Sequence, residues 1–298
     1  MSTTVLSESQ SRFDVYRTIT DKILLAMETG VDPFAMPWHG VAGRISRPKN
    51  ADTGAFYRGI NVVALWAEAA IKDYGSNVWA SYRQWQNLGA QVRKGQHGAV
   101  IVFYKEIEDE DVEEESNRPR LIARASRVFN ADQVEGWQRP KIEIPSRVEV
   151  LAQVDAFVTA TKADVRRGGE VACYRTKDDY IQMPHPELFI GSATRTPTEA
   201  YYAVLLHELT HWTGAKHRLD RQFGERFGDD AYAMEELVAE LGAAFLCADL
   251  RITNDLRPDH AAYIERWQKV LTDDRKAIFM AANRASQAMD FLNGLAKA

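Results

Sequence analysis

The sequence predicts an α+β fold in two domains, an N-terminal α/β domain over 1–145 and a mostly helical C-terminal domain with a small sheet over 146–298. Three observations predict it. Two apolar runs, Ala99 to Tyr104 and Leu121 to Phe129, read as strands among helical patterns in the first half. Pro140 and Pro145 punctuate the chain between the halves. From Thr196 onward, long segments carry helical periodicity.

Phe13, Tyr16, Ile19, Ile23 and Met27 recur at helical spacing, so a helix runs from about Arg12 to Thr29 and stops at Gly30. Pro33 and Pro37 keep the next stretch irregular, and residues 38–60 read as loop with short strands. Asn61 is the expected cap of a second helix reaching about Asp73, and Ser81 that of a short helix carrying Tyr82 and Trp85. The two strands that follow enclose the acidic run Glu106 to Glu115. Like charges at that density favour a solvated hairpin loop; a DNA-mimicking or regulatory flap is the other reading.

Beyond Pro145 a helix is expected from about Val148 to Thr161, then short strands near Val171–Tyr174 and Tyr180–Met183. Thr196 is a good N-cap, Pro197 suits the first helical position, and Glu199 completes a capping box. That helix runs to Trp212, and Gly214 ends it. Further helices fit Ala231–Asp249, His260–Leu271 and Asp274–Leu295.

Composition bounds the function. Hydrophobic residues at 45 % and charged residues at 27 % describe a soluble globular protein. No run of about 18 apolar residues exists, so no membrane span is expected. The polar segment Met1 to Arg12 lacks the apolar stretch of a secretory signal. The cysteines Cys173 and Cys247 show no CxxC spacing, which argues for a reducing, cytoplasmic setting and against thiolate-bound zinc. Charge is unevenly spread. Residues 1–145 hold 18 basic and 19 acidic residues, but eight of the acids lie in Glu106 to Glu115. The N-terminal half is therefore a basic body with one acidic loop.

The chemistry concentrates in His207-Glu208-Leu209-Thr210-His211. Positions i and i+4 share one helix face, so both imidazoles can meet one cation. Glu208, one residue along, is placed to act as general base on a water that the cation acidifies to a pKa near 7. Two surface histidines on an amphipathic helix would spell the same motif. The apolar run Tyr201, Tyr202, Val204, Leu205 and Leu206 argues instead for a buried helix, where unpaired His and Glu are costly.

The third ligand has three candidates. His217 completes HExxHxxGxxH with Gly214, the metzincin spelling, but no convincing Met-turn follows. The rival is the apolar helix from Glu235 to Leu246, with Glu236 and Glu240 at i and i+4. It resembles the glutamate helix of thermolysin-like zincins. That resemblance implies Glu236 as ligand and Glu240 as the partner that orients a ligand histidine. Tyr232 is a candidate for oxyanion support, and the stretch Asp178 to Pro184 for a substrate-pairing strand edge. Zinc suits the donor set, and manganese or another divalent ion fits it as well.

The N-terminal half mixes aromatics with cations: Pro37-Trp38, Arg44, Arg47, Lys49, Thr53 to Asn61, Trp79, Tyr82 to Trp85, Arg93-Lys94-Gly95 and Phe103-Tyr104-Lys105. Single strands are held by aromatic faces that stack on bases and by cations that follow phosphates. The run TGAFYRGIN, the Trp79 to Gly95 stretch and Val128 to Gln133 resemble the N-terminal domain of ArdC-type antirestriction proteins, a domain similar to one in conjugative plasmid primases. HELTHWTG, Arg218 to Arg221 and EELVAELGAAFL resemble the zincin-like metallopeptidase domain found with it.

The resemblance covers nearly the whole chain and implies a single-stranded-DNA-binding domain joined to a metallopeptidase-like domain. The implied role is to help plasmid DNA survive restriction in a recipient cell. Tyr57, Arg58, Asn61, Trp85, Arg93 and Lys94 are then the expected DNA contacts. The enzyme reading adds an unidentified protein substrate. The alternatives are a protein that shields single strands with a structural or vestigial metal site, and an accessory factor in plasmid DNA replication.

Overall fold

The computed structural model describes residues 14–29, 46–107, 120–138, 146–192, 195–221, 230–253 and 261–297. Helix α1, Val15–Thr29, buries Ile19, Ile23 and Met27 of the stripe that the periodicity marks, leaves Tyr16 half-buried, and buries Val15 as well. Strand β1, Lys49–Asn50, precedes helix α2, Ile60–Lys72. Strand β2, Val78–Ala80, leads into helix α3, Tyr82–Asn87, which Ser81 caps in a full capping box with Gln84. Strand β3, Gln91–Val92, comes before the long hairpin of β4, Ala99–Ile107, and β5, Arg120–Asn130. Strand β6, Val134–Glu135, closes this half. The larger sheet has the order β1-β2-β5-β4, antiparallel except for the parallel β1/β2 edge, and β3 pairs with β6. Most of the acidic run, from 108 onward, lies outside the described residues, as do Phe13, the loop 30–45 and residues 139–145 beside the expected domain boundary.

The second half starts with helix α4, Arg147–Ala160. Strands β7, Val165–Arg167, β8, Cys173–Arg175, and β9, Tyr180–Met183, form a sheet of order β7-β9-β8. Helix α5, Pro197–Thr213, has the expected Thr196/Glu199 capping box. Helices α6, Asp230–Leu250, α7, Ala261–Asp273, and α8, Ala277–Lys297, complete the chain. Among the described residues no helix is long and apolar enough to cross a membrane.

Two caps differ from expectation. The N-cap of α2 is Gly59, whose φ of 54° suits glycine. Asn61 instead turns its amide onto β4, donating to Val102 O at 2.7 Å and accepting from Val102 N at 2.8 Å. Gly214 ends α5 with a right-handed φ of −73°. Its lack of a side chain serves close approach: a Cβ there would lie 2.9 Å from an Arg221 nitrogen.

The two halves share one apolar core. Buried residues of α1, α2 and β4 join those of α4 through α8 in a single cluster. Tyr16 meets Phe279 with ring centres 4.7 Å apart, and Trp66 meets Phe245 at 5.7 Å. Within this core α6 packs closely on α5 at Gly242. A Cβ there would come 2.5 Å from Thr210 Cγ2. Thr210 is buried, and its hydroxyl is tied to Leu206 O at 2.9 Å, so it has little room to yield. Gly242→Ala is expected to cost about 1–3 kcal/mol in denaturant unfolding. The Gly242→Ala/Thr210→Ala double variant should recover much of the loss. A stability equal to the parent would show that the helices do not meet there.

Candidate metal centre and the expected DNA contacts

Helix α5 carries His207 and His211 one turn apart, and α6 brings Glu236 across to them. His207 Nε2 and His211 Nε2 lie 3.1 Å apart. Glu236 places one carboxylate oxygen 3.4 Å from His207 Nε2 and the other 3.5 Å from His211 Nε2. A tetrahedral shell with bonds of about 2.1 Å has edges of about 3.4 Å, and an octahedral one about 3.0 Å. The donor set and its spacing fit one divalent cation. His217 does not join the group: it is exposed and pairs with Asp179 at 3.2 Å. The metzincin arrangement is therefore not realised, because the chain turns after Gly214 to bring Arg218 and Arg221 inward.

Carboxylates stand behind both imidazoles. Glu240 is buried and lies 3.6 Å from His207 Nδ1. Glu235 accepts from His211 Nδ1 at 3.0 Å and is itself gripped by the Arg221 guanidinium at 2.8 and 2.7 Å. Glu235 was not among the expected residues. Its signals were the Glu235-Glu236 pair and the Arg218 to Arg221 run, but neighbouring helix positions point about 100° apart, so only the crossing of α5 and α6 shows both facing one site.

Burial lowers the pKa of His211, but Glu236 and then Glu235 outweigh it and lift the ring to about 10. Burial raises Glu236, yet His211 and His207 hold it well below the usual carboxylate range. In Tyr232, one turn before Glu236, burial and then the Glu236 carboxylate push the phenol up.

Glu208 is buried beside the cluster, and its Oε2 accepts from the Tyr174 backbone N–H of β8 at 2.8 Å. This strand corrects one expectation. The stretch Asp178 to Pro184 contains β9, which lies in the middle of its sheet with both edges paired. Strand β8 is the one that reaches the site. A clamp fixes it: the Tyr174 hydroxyl donates to Asp179 at 2.8 Å, and Arg218 donates to Asp179 at 3.0 Å, to Tyr174 Oη at 3.0 Å and to Trp212 O at 2.6 Å.

Hydrogen bonds from Arg218 hold Asp179 down to about 2, against the opposing effect of burial. A depressed carboxylate stabilises the fold above its unfolded pKa of about 3.9, and that contribution is lost as pH falls towards 2. Asp179→Asn should therefore be less stable than the parent at neutral pH, with the gap closing between about pH 4 and 2. A gap independent of pH would remove this ion pair from the account.

The expected DNA contacts fall into two groups. Trp85 is fully buried, and its indole donates to Phe129 O at 3.0 Å. It is a core residue with no face for a base. Asn61, with its amide committed to Val102, likewise holds the fold. Tyr57 is half-buried and accepts from Asn50 at 3.2 Å, and burial pushes its phenol up. Arg58 is exposed and pairs with Asp290, Arg93 donates to Asp132 O and Val134 O, and Lys94 is exposed on the turn after β3. Among the described residues, Phe56, Tyr82, Phe103 and Tyr104 are exposed aromatics. The Arg47 and Lys49 cations sit 4.6 and 5.8 Å from the centre of the Phe56 ring.

Two family models match this architecture. Residues 13–134 match the N-terminal domain of anti-restriction factor ArdC, and residues 152–284 match a zincin-like metallopeptidase. The fold is thus an antirestriction-type domain joined to a zincin-like domain. A metal-free crystal structure of the antirestriction protein ArdC from plasmid R388 shares 40 % identity with a TM-score of 0.74, covering 96 % of this chain and 98 % of that one. An Mn(II)-bound structure of the R388 protein matches at 38 % identity with the same TM-score of 0.74, over 95 % and 98 % of the two chains. The chain belongs to the ArdC-type antirestriction family.

An uncharacterized protein, y4eC, of Sinorhizobium fredii (strain NBRC 101917 / NGR234) is 42 % identical over 293 residues, 95 % of this chain and 93 % of that one. The DNA primase TraC of Escherichia coli is 31 % identical over 294 residues, which is 93 % of this chain but 20 % of the primase.

Proposed function

We propose that this protein binds single-stranded DNA entering a recipient cell and hydrolyses a peptide bond in a protein that endangers that DNA. The observation that carries the reading is the convergence of His207, His211 and Glu236 within 3.5 Å of one another, with Glu208 buried beside them. The two Nε2 atoms and the Glu236 carboxylate would hold a divalent cation. Zinc suits these donors, and the R388 relative holds Mn(II). Such a cation supplies Lewis acidity to a peptide carbonyl and to a water molecule.

The chain does the rest. With Oε2 held by Tyr174 N–H, Glu208 Oε1 is the atom that accepts a proton from the attacking water and returns it to the leaving amine. Glu240 and Glu235 keep the two imidazoles oriented by facing their Nδ1 atoms. The match to the antirestriction N-terminal domain and the likeness to a plasmid primase support contact with DNA, through Arg58, Arg93, Lys94 and Tyr57 and the exposed aromatics. The setting we propose is the cytoplasm.

The test is transfer of a plasmid encoding Glu208→Ala protein into a restricting recipient. Protection is expected to disappear. Full protection by this variant would favour the alternative in which the protein shields single strands and its metal is structural.

A further inference from the structure

A cleft of about 710 Å³ is lined by N-terminal elements and by α8. One wall is built by Tyr16 of α1, Arg58 before α2 and Tyr104 of β4. The other carries Lys276, just before α8, with Arg284 and Asp290 on the helix. Three cations therefore face one carboxylate. Tyr104 is 49 % exposed, and the Lys276 ammonium lies 5.3 Å from the centre of the Tyr16 ring. The track continues past the cleft. Arg47, its side chain 11 % exposed and paired with Asp249 at 3.1 Å, reaches Met289 Sδ on α8 at 3.5 Å and lies over the ring of Phe56, which is 47 % exposed. Arg58, Lys276, Arg284 and the exposed ring of Tyr104 thus line one cleft beside α8 between Lys276 and Asp290, a span of about 20 Å at the rise of an α-helix.

We infer that α8 forms one bank of the single-strand path, so that the metallopeptidase-like domain itself helps to hold the DNA. The inference rests on the single-strand reading above. Arg58, Lys276 and Arg284 meet successive phosphates, and Tyr104 and Phe56 offer faces to bases, which only an unstacked strand can present. Asp290 has a specific part. It pairs with Arg58 in the DNA-free protein and so competes with a phosphate for that guanidinium.

The test uses the full chain and a labelled oligothymidylate of about 12 nucleotides, with affinity measured over a series of salt concentrations. Lys276→Ala/Arg284→Ala changes two exposed side chains and should weaken binding about tenfold. Its salt slope should be shallower by about 1.4, as expected for two lost contacts to a single strand. Asp290→Asn should bind a few-fold more tightly than the parent, an effect that damage to the fold would not produce. If the parent binds the oligonucleotide and the double variant keeps its affinity and slope, α8 is not on the path and the N-terminal reading stands alone. A larger loss on duplex than on single-stranded DNA also overturns the inference. If the parent binds no single strand even at low salt, the underlying reading fails with it.

Discussion

Glu208→Gln protein is expected to lose peptide hydrolysis by about 10²–10⁴-fold while keeping its metal content and its stability. The carboxamide has nearly the same shape and can still accept the Tyr174 N–H bond through its oxygen. It cannot take a proton from water at neutral pH. Glu208 is not one of the three converging groups, so cation affinity should stay close to that of the parent. The pair of measurements separates two roles. A loss of rate with metal retained fits a base. A loss of both fits a ligand or a structural residue, and an unchanged rate removes Glu208 from the chemistry.

Arg221→Ala should have the largest effect on stability, about 3–5 kcal/mol in denaturant unfolding. The Arg221 side chain is 2 % exposed. It holds both oxygens of Glu235, Thr210 O at 2.7 Å and Thr213 Oγ1 at 3.0 Å, so its removal leaves the Glu235 charge without its cation and takes one hydrogen bond each from Thr210 O and Thr213 Oγ1, which keep the bond between them at 2.6 Å. Burial raises Glu235, and the bonds from Arg221 reverse that and keep it ionised. Without Arg221 the carboxylate that orients His211 is left with the imidazole alone among these partners, so cation affinity should fall with stability. Arg221→Lys cannot reproduce the two-pronged grip and should recover only part of the loss. A change below about 1 kcal/mol, the size of an exposed ion pair, would contradict the arrangement.

Much of this centre is legible in the linear sequence because its parts lie on helices with clear signals. The Thr196/Glu199 box fixes where α5 starts, and on that helix the i, i+4 spacing of His207 and His211 puts both on one face. The apolar flanks of Glu236 and Glu240 mark a buried helix in the same way. What is not legible depends on which surfaces meet. Strands β1, β3 and β6 are two residues long and exist only because a partner strand passes by. Trp85 follows a good cap among cations and polar residues, and only β5 lying over α3 turns its indole inward. Asn61 has the chemistry of a cap, yet Gly59 accepts the positive φ two residues earlier and releases the Asn61 side chain to pin β4. Glu235 could not be ranked beside Glu236 without the crossing at Gly242, where the missing side chain lets α6 come close enough to present both.

The proposed cation site draws its ligands from two helices, His207 and His211 from α5 and Glu236 from α6. Calorimetric titration of zinc and of manganese into metal-stripped protein tests it most directly, with Glu236→Ala and His217→Ala variants alongside. About one equivalent should bind to the parent and to the His217 variant, and binding should be lost or greatly weakened in the Glu236 variant. No stoichiometric uptake by the parent, or undiminished uptake without Glu236, would contradict the account.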